Sequence, residues 1–245
     1  MKTINSLLTS PEDEYHDFKV QWYSNDNKAE LIKDIFSFVN TSHHEDCYLI
    51  IGVDDNHNVT GVESDENRLN TQKLTDFLHS LPIANSHTPK VIVKPIKVKN
   101  HIIDIITIKD TIDVPVYLDE DKHPKKAKRP IHAGQIFARE NDTNTPISDS
   151  ASDYLVERLW KKRFGLDLPI RQQYKIKLQD INNWEYFETD KIGFLYNVSP
   201  DYCMFLEDDD DDQARYKVQS YALGQCRARM GWQKLVLKYK NRTIN

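Results

Sequence analysis

The chain has 245 residues, of which 39% are hydrophobic and 29% charged, and its 33 Lys and Arg against 38 Asp and Glu give a net charge of −5. This balance excludes a surface that is basic throughout, but it leaves room for a local basic face. Three cysteines without Cys-x-x-Cys spacing argue against disulfides or a zinc site and favour a reducing, cytoplasmic setting. No apolar run approaches the roughly 20 residues that span a bilayer, so no membrane contact is expected.

A strand is predicted near the N-terminus. Residues 15–22 alternate in polarity, which predicts a strand with Asp17 and Lys19 on one face and Phe18 and Val20 on the other. The carboxylate and the ammonium would then form an ion pair on the surface, an interaction that contributes little to stability.

A helix and a buried strand follow. The apolar period of residues 28–39 predicts a helix, which Asn40 is expected to end in a left-handed conformation. The apolar run 48–53 predicts a strand buried on both faces. After it, Asp55 either presents a charge for function or belongs to an ordinary turn. A strand, a helix and a strand in this order form a crossover unit, which places both strands in one sheet.

More strands and a second helix are predicted between residues 58 and 139. They are a short strand at 58–62, a helix at 71–81, a hairpin of strands 90–98 and 102–108, and further strands at 114–118 and 131–139.

A basic loop is predicted between the last two of these strands. Such clusters are candidates for phosphate contact, and the alternative is an ordinary solvated loop. Its five basic residues are Lys122, Lys125, Lys126, Lys128 and Arg129. The strand after the loop ends at Arg139, at the start of a turn.

The C-terminal part of the chain has a different composition. Ser148 is expected to cap a helix over 151–164 that ends at Gly165. Residues beyond 169 are rich in aromatics, with strands predicted at 192–198, 202–206 and 234–239. The carboxylates at 207–212 lack the spaced ligands of a calcium loop and are expected to form a solvated loop.

These elements predict an α+β fold in three parts. Residues 1–150 form a mixed sheet with flanking helices, residues 151–168 form a connecting helix, and residues 169–245 form a smaller, aromatic-rich, mainly β region.

Four segments resemble, in order and spacing, the Schlafen-type AlbA domain. They are Pro-Glu at 11–12 with Asp-Phe-Lys at 17–19, Phe-Ser-Phe-Val-Asn-Thr at 36–41, Tyr-Leu-Ile-Ile-Gly-Val-Asp-Asp at 48–55, and Val-Thr-Gly-Val at 59–62. Residues 133–139 and 142–146 also resemble the end of this domain in bacterial members, with His132 where an arginine is expected.

The resemblance implies binding of DNA or RNA, and some animal members are metal-dependent endoribonucleases that use three carboxylates. Carried over by position, these carboxylates are Glu12, Asp17 and Asp55, which would bind Mg²⁺ or Mn²⁺, while Lys19 would stabilise charge. The chain departs from the family in two places. Asp17 replaces a glutamate and is one methylene shorter, and residues 42–46 replace a glycine pair.

Three hypotheses follow. The first is a binding module, acting in regulation or defence, whose basic face consists of Lys19, Lys122, Lys125, Lys126, Lys128, Arg129 and Arg139. The second is the metal-dependent endoribonuclease. The third is a non-catalytic assembly protein, in which the aromatic C-terminal region forms a homo-oligomer.

Overall fold

The computed structural model describes residues 4–84, 87–122, 130–207 and 234–244. The chain divides into two compact units, residues 1–167 and residues 168–245. No described helix is both long and apolar enough to cross a membrane.

The first unit contains a four-stranded mixed sheet. Its strands are β1 (His16–Lys19), β2 (Cys47–Ile51), β3 (Val91–Val98) and β4 (His101–Ile108), in the order β1-β2-β4-β3. β1 runs parallel to β2, and the other pairs are antiparallel. The crossover unit and the β3–β4 hairpin predicted from the sequence are therefore confirmed.

Helices flank this sheet, which confirms the α+β class. They are α1 (Ile4–Thr9), α2 (Lys28–Val39), α3 (Thr71–His79) and α4 (Asp153–Arg163). The bounds of α2 are those that the apolar period predicts.

Both faces of the sheet are covered, as predicted for β2. Leu49 and Ile51 lie in the larger apolar cluster with Leu31 and Ile35 of α2. Ile50 points the other way, into a smaller cluster that also contains side chains of α1, β1 and β4. Because successive side chains of a strand alternate between faces, a strand covered on both sides reads as a continuous apolar run.

Several strand predictions are wrong in extent. β1 has only four residues, and Val20 beyond it is exposed. The segments 58–62, 114–118 and 131–139 make isolated bridges through Val59, Leu118 and Ile131 instead of the predicted strands. Most apolar residues of these segments are buried, as the sequence pattern predicted. The strand assignment was wrong because periodicity does not distinguish a strand from buried irregular backbone.

A short hairpin begins at Arg139. It joins β5 (Arg139–Glu140) to β6 (Thr143–Asn144), which confirms that Arg139 stands at the start of a turn.

Asn40 ends α2 differently from the prediction. Its φ of −84° is not left-handed, and its side chain is buried. The Nδ2 atom donates to the carbonyl oxygens of Val116 (2.8 Å) and Phe137 (2.7 Å), and Oδ1 accepts from the Val116 N–H (2.6 Å). Buried backbone outside helices and strands needs such partners, because no regular hydrogen-bond pattern satisfies its N–H and C=O groups. Asn40 thereby fixes the segment that delivers Arg139.

Helix α4 begins later than predicted, and its cap is Ser152, whose Oγ accepts from the Leu155 N–H (3.4 Å). Ser148 does not cap it. The backbone before Ser152 is engaged elsewhere, since the Ala151 N–H donates to the carbonyl of Ile136 (2.7 Å). Gly165 follows the helix with a φ of +65°, the left-handed conformation that ends a helix readily at glycine.

The described residues of the second unit contain an α-helix and an antiparallel sheet. They are α5 (Ile170–Lys177) and the strands β7 (Trp184–Glu188), β8 (Ile192–Tyr196), β9 (Tyr202–Glu207), β10 (Lys234–Tyr239) and β11 (Arg242–Thr243), in the order β11-β10-β9-β8-β7. An aromatic cluster around Tyr174, Tyr196 and Tyr202 forms its core. The aromatic, mainly β region is therefore confirmed, although the sequence did not predict α5 or β7. The acidic segment 208–212 lies outside the described residues.

We predict that Asn40→Ala lowers the free energy of unfolding by about 3 kcal/mol, because three buried backbone groups lose their partner at about 1 kcal/mol each. The measurement is urea unfolding at pH 7. Asn27→Ala is the matched control, since Asn27 precedes the same helix, is exposed and makes no capping hydrogen bond. We expect the control to change stability by less than about 0.5 kcal/mol. Equal effects of the two substitutions would contradict the anchoring role of Asn40.

Candidate functional site

An open cleft of about 440 Å³ lies between β1, the first turns of α2 and the β5–β6 hairpin. It is lined by three cationic and four anionic side chains, which are Lys19, Lys33, Arg139, Asp17, Glu30, Asp34 and Asp142. The cleft is therefore mixed in charge.

A cluster of three charged side chains stands where β1 meets the cleft. Glu12 Oε1 accepts from the Phe18 N–H (2.8 Å), which brings its carboxyl group back alongside β1. Glu12 shares a side-chain hydrogen bond with Asp17, and Asp17 Oδ2 lies 2.5 Å from Lys19 Nζ. The predicted Asp17–Lys19 pair is present, but it is not a surface pair. The Asp17 side chain is 6% exposed and that of Lys19 is 33% exposed.

The two carboxyl groups of this cluster have opposite pKa shifts. Burial, together with the hydrogen bond to Asp17, raises the pKa of Glu12 to about 7. Burial also disfavours the charged form of Asp17, but the hydrogen bond from Glu12 and the charges of Lys19 and Arg139 outweigh it and hold the pKa of Asp17 below its usual range. Asp17 therefore loses its proton before Glu12 does as the pH rises, because two close carboxylates resist ionising together.

Arg139 is a buried cation behind this cluster. Its Nε donates to the carbonyl of Asp13 (2.8 Å), Nη1 to Asn144 Oδ1 (2.8 Å) and Nη2 to the carbonyl of His16 (3.3 Å). The guanidinium carbon also lies 4.8 Å from the centre of the Phe38 ring. All these acceptors are neutral, so no hydrogen-bonded carboxylate among the described residues cancels the charge of Arg139.

Asp34 is a member of the site that the sequence analysis missed. Its side chain is 3% exposed, accepts from the Tyr23 hydroxyl and, at 2.9 Å, from Asn144 Nδ2, and lies 3.3 Å from Lys33 Nζ. The signal was available, because Asp34 lies between Leu31 and Ile35 on the apolar side of the predicted helix. A carboxylate in that position requires buried partners.

The structure does not bring Asp55 into this cluster. Asp55 is exposed in the turn after β2, and its carboxylate has no hydrogen bond or ion pair within the described part of the chain. Of the predicted site residues, Glu12, Asp17, Lys19 and Arg139 come together. Lys122 does not line the cleft, and its backbone bridges Ile131. The others, Lys125, Lys126, Lys128 and Arg129, lie outside the described residues.

The donor set expected for Mg²⁺ or Mn²⁺ is not assembled. Across residues 4–84, 87–122, 130–207 and 234–244, no group of three or more His, Cys, Asp or Glu side chains is arranged to hold a metal ion. Asp17 is engaged with Lys19, and Glu12 shares a hydrogen bond with Asp17. These side chains therefore do not fit a divalent cation, which requires several free oxygen ligands.

The family model described as Schlafen, AlbA_2 matches residues 12–148, which is more than half of the chain. The chain therefore belongs to the Schlafen AlbA_2 family, and this membership supports a nucleic-acid-related role at the level of the family.

No curated protein matches the chain. Among solved structures, it is similar to the DIP2311 protein from Corynebacterium diphtheriae, with 16% identity and a TM-score of 0.34. That match covers 60% of this chain and 23% of the other, so it spans about a quarter of that protein's length.

We predict that Glu12→Gln removes a pH-dependent loss of stability. The folded pKa of about 7 lies above the ordinary value of 4.5, so the protonated Glu12 contributes stability that is complete below pH 4.5 and is lost as the pH rises through 7. Glutamine keeps both hydrogen bonds at every pH. After allowance for solvent screening, the variant should be more stable than the parent by roughly 1 kcal/mol at pH 8.5 and equally stable at pH 4.5.

The measurement for Glu12→Gln is urea unfolding across this pH range, expressed as the difference between variant and parent. Glu66→Gln, which changes an exposed carboxylate, is the control and should give a flat difference. If the stability difference between Glu12→Gln and the parent is also constant across this pH range, the raised pKa of Glu12 is contradicted.

Proposed function

We propose that this chain binds the backbone of nucleic acid at the cleft, with Lys19 as its phosphate contact. The observation that carries the proposal is that Lys19 is one-third exposed at the cleft and is held in place by the buried Asp17. An ammonium in a fixed position loses less side-chain entropy on binding phosphate than a free surface lysine does.

The charge around Lys19 favours an anion. When Glu12 is protonated, Asp17 carries one negative charge and Lys19 and Arg139 carry one positive charge each, so this end of the cleft has an excess of one positive charge. The burial of Arg139 strengthens its effect, because an uncompensated charge acts over a longer range where water does not screen it.

The other end of the cleft limits the ligand. Lys33 lies 2.6 Å from Glu30 and 3.3 Å from Asp34, so its charge is already paired. Carboxylates here repel a continuous row of phosphates. We therefore propose that one or two phosphates enter at the Lys19 end.

The basic run of Lys122, Lys125, Lys126, Lys128 and Arg129 is proposed to supply further contacts to the nucleic-acid backbone. Contacts to the backbone alone would give binding without sequence preference.

Binding without cleavage is the proposed activity. The endoribonuclease hypothesis needs Glu12, Asp17 and Asp55 around a metal ion, and the described geometry of these three side chains offers no support for it. No catalytic step is assigned to them.

We predict that Lys19→Gln weakens binding of a labelled 20-nucleotide single strand about tenfold at 50 mM salt. It should also reduce the slope of log affinity against log salt by about 0.7, the contribution of one phosphate contact on a single strand. The measurement is fluorescence anisotropy with DNA and RNA strands between 50 and 300 mM salt.

Two variants make this test specific. Lys19→Arg keeps the charge and should restore the slope. Lys73→Gln, an exposed lysine on α3, should leave affinity unchanged. Failure of the parent protein to bind either strand at low salt, or an unchanged slope in Lys19→Gln, would overturn the proposal.

A further inference from the structure

Three exposed aromatic rings lie on the outer face of α4. This helix follows residue 148, where the family match ends. The exposed fractions are 60% for Tyr154, 38% for Trp160 and 61% for Phe164. Single exposed apolar side chains are common, but three aromatics on an 11-residue helix and its cap form a patch, and such patches mark interaction sites.

The rings are arranged together with arginines. Trp160 and Phe164 stack at 5.8 Å between ring centres with 16° between their planes. The guanidinium of Arg163 lies 5.7 Å from the Trp160 ring centre, and that of Arg158 lies 5.7 Å from the Tyr154 ring centre. Neither arginine has a carboxylate partner among the described residues. Arg163 Nη1 donates to the carbonyl oxygen of Val114 (3.5 Å), whereas Arg158 is exposed and is the more accessible of the two to an anion.

A buried lysine fixes the direction in which this face points. Lys162 is fully buried, and its Nζ donates to the carbonyls of Thr41 (3.1 Å) and His43 (2.5 Å) and to Asp110 Oδ1 (2.6 Å). The apolar spacing of Leu155, Leu159 and Trp160 predicts that Trp160 faces inward, and its exposure shows that this prediction is wrong. Lys162 and Leu159 occupy the inward face, so the helix presents Trp160 and Phe164 outward.

We propose that the face formed by Tyr154, Arg158, Trp160, Arg163 and Phe164, here called the aromatic face, stacks the bases of single-stranded nucleic acid. A single strand exposes flat apolar rings beside phosphates, and stacked aromatics with unpaired arginines match both features. This inference rests on the proposed function, and it adds a second contact, which is made to the bases instead of the phosphates.

The charge of the aromatic face favours this ligand over a second copy of the chain. Lys161 is paired with Glu157 at 2.6 Å, which leaves Arg158 and Arg163 as its uncompensated cations. Two such faces brought together would place arginines against arginines, and like charges at an interface oppose association.

The test measures binding of oligo(dT) and oligo(U) by the full chain and by Trp160→Ala and Phe164→Ala. We expect each variant to lose about tenfold in affinity with an unchanged salt slope, because stacking is not ionic. Binding should also quench tryptophan fluorescence in the parent, and most of this quenching should disappear in Trp160→Phe while affinity is largely kept. Tyr186→Ala, another exposed aromatic with no cation over its ring among the described residues, is the control and should bind as the parent does.

The possible results separate this inference from the proposed function. If Trp160→Ala binds as tightly as the parent while Lys19→Gln binds more weakly, the inference that the aromatic face stacks bases is overturned. The proposed phosphate contact of Lys19 would still stand. Failure of the parent to bind any strand would overturn both. If sedimentation shows a dimer that Trp160→Ala dissociates without loss of nucleic-acid affinity, the face is a protein interface and the inference is wrong.

Discussion

The structure of the site depends on keeping the Asp17 carboxylate charged inside the fold. β1 pairs with β2 in a sheet covered on both faces, so Asp17 loses most of its water. A buried charge is tolerated only where partners compensate it. Glu12 supplies a proton, Lys19 an ammonium and Arg139 a second positive charge at longer range. The two cations that compensate Asp17, Lys19 and Arg139, also line the cleft, and this links folding to the proposed function.

Buried polar side chains hold the site's backbone in position. Asn40 ties the end of α2 to the irregular backbone at Val116 and Phe137, and the chain reaches Arg139 two residues later. Lys162 has a similar role on α4, where it donates to the backbone carbonyls of Thr41 and His43. Irregular backbone is therefore rigid in this unit because buried side chains satisfy its hydrogen bonds, and this rigidity fixes both the cleft and the aromatic face.

The sequence predicted the parts of the fold that local periodicity determines. Helix α2, the buried strand β2 and the β3–β4 hairpin follow from spacing alone, and the family resemblance followed from four segments in register. Periodicity could not separate a strand from buried coil at 114–118, because both place apolar residues inside. It could not reveal the roles of Asn40 or Lys162 either, since their partners lie far along the chain. At the site, spacing predicted the Asp17–Lys19 pair, but it said nothing of the proton on Glu12 or of Asp34.

We propose that the Glu12–Asp17–Lys19 cluster serves nucleic-acid binding without a metal ion. The most direct measurement is oligonucleotide binding by the purified chain in excess chelator and in Mn²⁺, with bound Mn²⁺ counted by electron paramagnetic resonance in parent and Asp55→Ala. We expect equal affinity in both conditions and no stoichiometric Mn²⁺ that depends on Asp55. One tightly bound Mn²⁺ that is lost in Asp55→Ala, together with cleavage of labelled RNA, would contradict it.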